Sequence, residues 1–440
     1  MTNRPVTITA ACAIACAVSA CGDTARLPLS ATVGPNPTIA EPRHALIPTI
    51  KVAPAQGWPE GVKPTSAPGT TVNAFADHLD HPRWLYVLPN GDVLVAETNA
   101  PERPEEGKGI KGRVMKSTQK KAGAGTPSAN RITLLRDADG DGVAETRSVF
   151  LEGLNSPFGM VLVGSDLYVA DTDAILRYPY SAGTTRVTAQ GSKLCDLPAG
   201  PRNHHWTKNI IASRDGSKLY ATIGSNSNAA EHGIAAEQGR AAVWEIDVKT
   251  GTHRVFASGM RNPNGLAWEP NTGALWAVVN ERDELGSDLV PDYLTSVRDG
   301  AFYGWPYSYY GAHLDTRVKP QRADLVAKAA IPDYALGSHV AALGLAWSDG
   351  NALPSVLGTG MFIGQHGSWN RDPPTGYDVV FVAFVDGKPA AAPVEVLSGF
   401  LSPEHTAYGR PVGVAIDNKG ALLVADDVGD RIWRVAASSK

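Results

Sequence analysis

Six times between Pro82 and Asp426 the chain repeats one pattern: a Pro or Asn, a short apolar run, a Gly/Asp/Asn turn, then an alternating apolar run that ends near an acidic or small residue. The copies are HPRWLYVLPNGDVLVAE (from Pro82), SPFGMVLVGSDLYVAD (Pro157), HWTKNIIASRDGSKLYATIG (His205), NPNGLAWEPNTGALWAVV (Asn262), AALGLAWSDG with MFIGQHG (Ala341) and PVGVAIDNKGALLVAD (Pro411). An Asn-Gly or Asp-Gly pair between apolar runs is a hairpin signal, because both turn positions accept positive φ. A lone hairpin is barely stable, so six of them must pack on one another, and radial repetition leaves few exposed edges. The pattern therefore predicts an all-β chain folded as a six-bladed β-propeller. A seven-bladed wheel with one unread blade, or a β-sandwich carrying an insertion, stays open at this point. The closing strand Arg431-Ile432-Trp433-Arg434-Val435 is placed to complete a blade with residues near the start of the domain. With 45 glycines and 32 prolines, the composition suits strands and turns better than helix interiors.

Residues 71–440 are assigned to the propeller, and what precedes them reads as an address and a tether. Thr7–Ala20 is an apolar, small-residue stretch behind Arg4, as in a secretory signal, and is too short to span a bilayer. It ends in Val18-Ser19-Ala20-Cys21, which resembles a bacterial lipobox with Cys21 as the lipidated residue. A cysteine that happens to close an ordinary signal is the alternative. Residues 1–20 are then a lipoprotein signal. Gly22 rather than Asp after the Cys favours the outer membrane, facing the periplasm. Residues 21–70 are rich in Pro and Ala with no sustained period, and read as a flexible tether. Membrane contact would come only through that lipid anchor. Cys195 remains as one small packed residue with no disulfide partner after Cys12, Cys16 and Cys21 are accounted for.

The net charge of −4 supplies no broad cationic surface, so nucleic acid is not the expected partner and the ligand is a small molecule. Histidines are scarce, and His204-His205 open the third unit. Neutral imidazole accepts a proton near pH 7, which suits a general base, although a histidine pair is also an ordinary hydrogen-bonding feature. Arg83, Arg261 with Asn262, and Arg410 stand at the entries of the first, fourth and sixth units. Guanidinium groups converging on an axis call for an anion, most naturally a polycarboxylate, unless local carboxylates such as Glu97 or Asp417 pair with them.

GMRNPNGLAW, NHHWTKN, FYGWPYSYYG and GRPVGVAI resemble the soluble glucose and sorbosone dehydrogenases and related pyranose dehydrogenases, whose cofactor is pyrroloquinoline quinone. The resemblance runs from about Val72 to Val435. It implies a six-bladed propeller with the quinone over the axis, His205 as the general base, and Arg261 and Asn262 at the quinone oxygens. Arg410 and Arg83 match cofactor or substrate contacts. The acidic residue that precedes the base in the glucose enzymes is absent here, where His204 stands instead. The carboxylate-binding lysine has no counterpart in FIGQHGSWNRDPPTGYDVV, and Arg371 is the expected replacement. GSWNR with PPTGY favours the sorbosone-dehydrogenase-like branch. The resemblance also implies a calcium ion held by backbone carbonyls at Asp283 and Glu284 in NERDELGSDLVPDY, with Asp292 bracing the loop; an acidic surface loop is the alternative.

Three further stretches invite a reading. Asp137, Asp139 and Asp141 in RDADGDGVAET resemble the front half of a calcium loop, but Ser148 occupies the twelfth position and a tight turn explains the same letters. Phe302, Tyr303, Trp305, Tyr307, Tyr309 and Tyr310 form either a sugar-stacking platform or buried packing. Met115–Asn130 reads as a flexible basic loop. Together these features predict an exported quinoprotein oxidoreductase, oxidising a sugar or sugar-derived aldehyde or alcohol and passing electrons to an external acceptor. A calcium-dependent lactonase-type hydrolase and a non-catalytic binding lipoprotein are the rivals.

Overall fold

The computed structural model describes residues 22–44, 49–105, 109–348, 353 and 357–438. The signal segment and Cys21 lie outside the described residues. The architecture is a six-bladed β-propeller, each blade an antiparallel sheet whose strands follow one another from the axis outwards. The innermost strands are Pro82–Val87, Met160–Val163, Ile210–Ala212, Asn262–Trp268, Ala342–Ser348 and Pro411–Ile416, which fall on the six sequence repeats. Each touches the next, and the sixth touches the first. The ring closes as the sequence predicts: Arg431–Ala437 pairs with Thr70–Ala76, so the outer strand of the sixth blade comes from the start of the domain.

Strand alternation builds the core. Along Val93–Glu97, Val93 and Val95 face the sixth blade while Leu94 and Ala96 face the second, because successive side chains leave opposite faces of a sheet. The same division along the other blades fills each gap between neighbours with an apolar layer. Glycine permits the closest approaches at the axis. A Cβ on Gly344 would lie 2.3 Å from the Val412 carbonyl, and one on Gly413 would lie 2.8 Å from that of Arg83. The inner strands thus touch backbone to backbone, which is why four of the six copies carry a Gly within the first apolar run: Gly159, Gly265, Gly344 and Gly413.

The stretch that composition marks as a tether is instead seated on the propeller. Val33–Gly34 adds a fifth strand to the fourth blade, and Thr65–Ser66 adds one to the fifth. Between them Arg43 donates to Asp288 at 2.6 Å, the Lys51 amide to the Trp369 carbonyl at 2.7 Å, and the Trp58 indole to Asp426 at 2.6 Å. A chain standing off the domain would make none of these bonds. The basic segment likewise departs from expectation: Gly109–Lys121 is helical, consistent with its Lys, Met and Gln content.

Candidate active site

In four blades the first residue of the inner strand pairs with the last residue of the second strand: Pro82 with Glu97, Asn262 with Asn280, Ala342 with Gln365, Pro411 with Asp426. A bulge follows in each. This register brings the loop entering each inner strand beside the loop leaving the second strand, on one face. His81, His205, Arg261 and Arg410 therefore share that face with Ser225, Asp283, His366 and Asp427.

His205 meets the fourth blade across Gly224. A Cβ there would stand 2.5 Å from both the Asn262 Oδ1 and the His205 Cβ, so only glycine lets the two side chains adjoin. The His205 Nδ1 lies 2.9 Å from the Ser225 carbonyl oxygen and 3.0 Å from its Oγ. Burial, reinforced by Arg261, His204 and Arg240, holds the imidazole well below its ordinary pKa, so it is neutral at pH 7. Asn262 Oδ1 is buried without a hydrogen-bond partner and has an acceptor to offer. Arg261 is fixed by four bonds: to the Asn228 carbonyl and Oδ1, to the Glu281 carbonyl, and to Asp283 Oδ2 at 2.9 Å.

A second cluster gathers on Asp427. Arg83 Nη1 approaches its carboxylate at 2.7 Å, His366 Nε2 at 2.9 Å, and His81 Nε2 at 3.6 Å. Burial alone would raise the Asp427 pKa, but His366, His81 and Arg83 hold it far below the carboxylate range. Burial pushes His366 down to about 4. The carboxylate that answers Arg83 is thus Asp427; Glu97 serves Arg131 and Asp417 serves Arg434. Arg83 also lies over the Trp206 ring, 5.8 Å from its centre, which joins this cluster to the His205 loop. Arg410 differs from the other two arginines. Its guanidinium is buried, donates to the carbonyls of His366, Gly367 and Ala53, and lies 4.7 Å from the Tyr377 ring centre, yet no ion pair reaches it among the described residues. Its Nε and that of Arg83 are buried without partners.

His205, Arg261, Asn262, Arg83 and Arg410 are therefore assembled on one face. Arg371 lies on the loop that leaves the second strand of the fifth blade, next to Asn370, which donates to Asp283 at 2.7 Å; its Nη1 binds the Pro373 carbonyl at 2.6 Å, and its Nε, like those of Arg83 and Arg410, is buried without a partner. Asp283 is poorly suited to a calcium ion. Its carbonyl accepts from Asn228 and Arg317, and its carboxylate from Arg261 and Asn370, so donors surround it where a cation needs other acceptors. Burial would raise its pKa, but Arg261 and His339 bring it down to about 2. Glu284, beside it, takes a positive φ of 70°. Asp292 does brace the region, accepting the backbone N–H groups of Glu281 and Ala341 at 2.7 Å each. Tyr303, Trp305, Tyr307, Tyr309 and Tyr310 are buried, which favours packing over a sugar platform. Burial raises the Cys195 thiol to about 11 and leaves it unreactive. Asp137, Asp139, Asp141 and Glu145 bring carboxylate oxygens within 4.8 Å of one another in a loop at the opposite end of the first blade's strands, where Lys419 binds Asp137 at 3.0 Å.

Ser225, His81, His366 and Asp427 were not singled out by sequence. Their one signal is position: Asp427 follows directly on the acidic end of the sixth repeat, and His366 ends the fifth.

A family model described as TrAA12-like matches residues 64–292 and 314–438. Among solved structures, the chain is similar to a Trichoderma reesei carbohydrate-active enzyme of family AA12, with 19% identity, TM-score 0.68, and coverage of 88% of this chain and 99% of that one. It is similar to the holo form of the pyranose dehydrogenase PQQ domain from Coprinopsis cinerea, with 20% identity, TM-score 0.66, and coverage of 88% and 100%. It is also similar to the apo form of the soluble aldose sugar dehydrogenase from Escherichia coli, with 17% identity, TM-score 0.57, and coverage of 84% and 100%. At these identities the likeness is one of fold. An uncharacterised protein of Borreliella burgdorferi is 30% identical over 242 residues, 54% of this chain and 62% of that relative's length.

Proposed function

Because the chain belongs to the TrAA12-like family, we propose that it is an oxidoreductase that oxidises a sugar or a sugar-derived alcohol or aldehyde hydrate, with pyrroloquinoline quinone as cofactor and an external electron acceptor. The observation that carries this reading is a neutral, half-buried imidazole set against Asn262 and Arg261 on the same face as Arg410, which has no carboxylate partner among the described residues. The residues suit a planar polycarboxylate. Arg410 and Arg83 have unpartnered Nε groups to donate to carboxylates, and the spare amide oxygen of Asn262 is an acceptor for a ligand N–H or hydroxyl. When bound, pyrroloquinoline quinone supplies the hydride-accepting chemistry.

The protein's own contribution is then to hold and move a proton. His205 takes the proton of the substrate hydroxyl as hydride leaves the same carbon, and burial keeps the ring deprotonated until that moment. Arg261, locked by its four hydrogen bonds, presents fixed positive charge where negative charge develops, with no reorganisation at the moment of reaction. No step is routed through calcium, since the Asp283 oxygens are already engaged. A metal-dependent lactonase would need free carboxylates on this face, whereas Asp283 and Asp427 are each spent on a guanidinium.

Export as a lipoprotein is part of the same proposal. Asp23 is bound by the Ser287 N–H at 2.6 Å and by Arg43 at 2.7 Å, only two residues beyond Cys21. A lipid on Cys21 would leave about 7 Å of slack, holding the loop face of the fourth blade close to the bilayer.

The test is reconstitution of the apo protein with pyrroloquinoline quinone and calcium, following dye reduction with aldoses, sorbosone and lactones. Quinone-dependent reduction is expected, lost in His205→Ala with cofactor binding retained. Absence of any quinone-dependent rate would refute the reading.

A further inference from the structure

The hydrogen bonds behind His205 all run one way. A carbonyl oxygen only accepts, so the 2.9 Å contact with the Ser225 carbonyl requires Nδ1 to carry the ring hydrogen. The Ser225 hydroxyl gives its own proton to the Ser227 carbonyl at 2.6 Å, which turns a lone pair of Oγ toward that same N–H at 3.0 Å. The Ser227 hydroxyl in turn donates to the Glu237 carboxylate, whose other oxygen accepts the Asn226 N–H at 2.6 Å. Ser225 is itself anchored, its N–H donating to the Arg261 carbonyl at 2.7 Å. With the opposite tautomer the Nδ1 lone pair would face two oxygens, one of which has no proton to offer.

We propose that Ser225 is a positioning residue that fixes His205 as the Nδ1–H tautomer, with Ser227 and Glu237 setting the direction of its hydroxyl, so that the Nε2 lone pair is the proton acceptor. This deepens the reading of His205 as the base and rests on it for its catalytic meaning. The second consequence concerns charge. A serine rather than a carboxylate backs the imidazole, and the charged groups around it are cationic or removed. Arg261 comes from the fourth blade and Arg240 from the third; the His204 ring stands edge-on at 4.6 Å between centres, and Lys208, whose Nζ lies 3.5 Å from the His205 carbonyl, is pushed well below its ordinary pKa by burial. The carboxylates nearby, Glu237 and Glu231, meet Ser227 and the amides of Asn228 and Ala229 instead. Among the described residues the ring consequently has no acidic partner to draw a proton onto it.

The experiment uses apo protein labelled with 15N-histidine and long-range 1H–15N correlation spectra from pH 5 to 8, with the His205 signals identified by their absence in His205→Gln. The expected spectrum shows a protonated Nδ1 and an unprotonated Nε2 that do not titrate across this range. Ser225→Asp, which puts a carboxylate against Nδ1, is expected to raise the titration midpoint by about one pH unit or more, and to shift the acidic limb of kcat/KM upward with it. A parent His205 in the Nε2–H form, or one that titrates between pH 5 and 8, overturns the proposal, and it does so even where the aspartate variant fails to fold. A fixed Nδ1–H tautomer in a protein without quinone-dependent dye reduction would sink the functional reading alone.

Discussion

Asp427→Asn isolates the charge on which half of the site is assembled. The substitution preserves volume and removes one carboxylate that serves Arg83 at 2.7 Å, His366 at 2.9 Å and His81 at 3.6 Å. Arg83 would then be a buried guanidinium without a counter-charge, facing the repulsion of Arg410. Breaking a buried pair in this way costs about 3–5 kcal/mol, most of it the penalty of the stranded charge. For a domain of roughly 370 residues, unfolding entropy near 0.8 kcal/mol per degree turns 4 kcal/mol into a fall of about 5 °C in Tm. Calorimetry of parent and variant reads this directly. The difference should persist in 1 M salt, because a buried pair is poorly screened. The pH dependence follows from the sign of the shift. The Asp427 pKa is depressed in the folded state, so its stabilisation is fully present above the unfolded value near 3.8 and fades only as pH falls below it. The gap between parent and variant should therefore be constant from pH 6 to 8. As a control, Glu152→Gln breaks the exposed pair with Arg186 and should cost under about 1 kcal/mol. A variant melting within about 1 °C of the parent would refute the claim that Asp427 organises this cluster.

Two further outcomes follow from single residues. Asp171 is buried with Oδ1 unpartnered, and burial raises its pKa to about 7, so its folded-state advantage is complete below pH 3.8 and is lost as pH rises through 7. Between pH 5 and 8 the parent should lose about 3 kcal/mol on this account, and Asp171→Asn should remove that slope from urea midpoints measured at the two pH values. Trp58→Phe keeps the ring against Phe400 and Trp433 but deletes the 2.6 Å bond to Asp426, leaving a buried acceptor one donor short. A loss of about 1–3 kcal/mol is expected, with faster proteolysis between residues 49 and 58; unchanged cleavage would mean the indole does not secure the segment.

The propeller was legible because its signals are local. Asn-Gly and Asp-Gly turns, a Pro or Asn at the strand start and the Gly of close approach all recur within twenty residues of one another. That His205, Arg261 and Asn262 come to one face was legible for the same reason, since each stands at the entry of a repeat in a short distinctive block. The rest depends on closure of the ring. Arg83 and Asp427 are 344 positions apart and meet only because the sixth blade returns to the first. The segment from Gly22 to Pro64 escaped recognition because its anchors Val33, Ala53 and Trp58 follow no period; each docks against a different blade or loop.

The three arginines at the inner-strand entries are not equivalent, and if the proposed cofactor binds on this face their inequality predicts the order in which they contribute. Arg83 already has Asp427 and Arg261 already has Asp283, so an incoming carboxylate must share either one with a resident anion. Among the described residues Arg410 has the carbonyls of His366, Gly367 and Ala53 and the Tyr377 ring, and no carboxylate. A hydrogen bond between full charges is worth about 1.5–3 kcal/mol, and at Arg410 nothing is displaced to make one. Arg410→Lys should therefore weaken pyrroloquinoline quinone binding by about 10-fold more than Arg83→Lys does, as read by titration calorimetry on the apo protein. Equal losses from the two substitutions would mean that the resident carboxylates do not set the order. A greater loss at Arg83 would place the ligand's anionic groups over the first blade rather than the sixth.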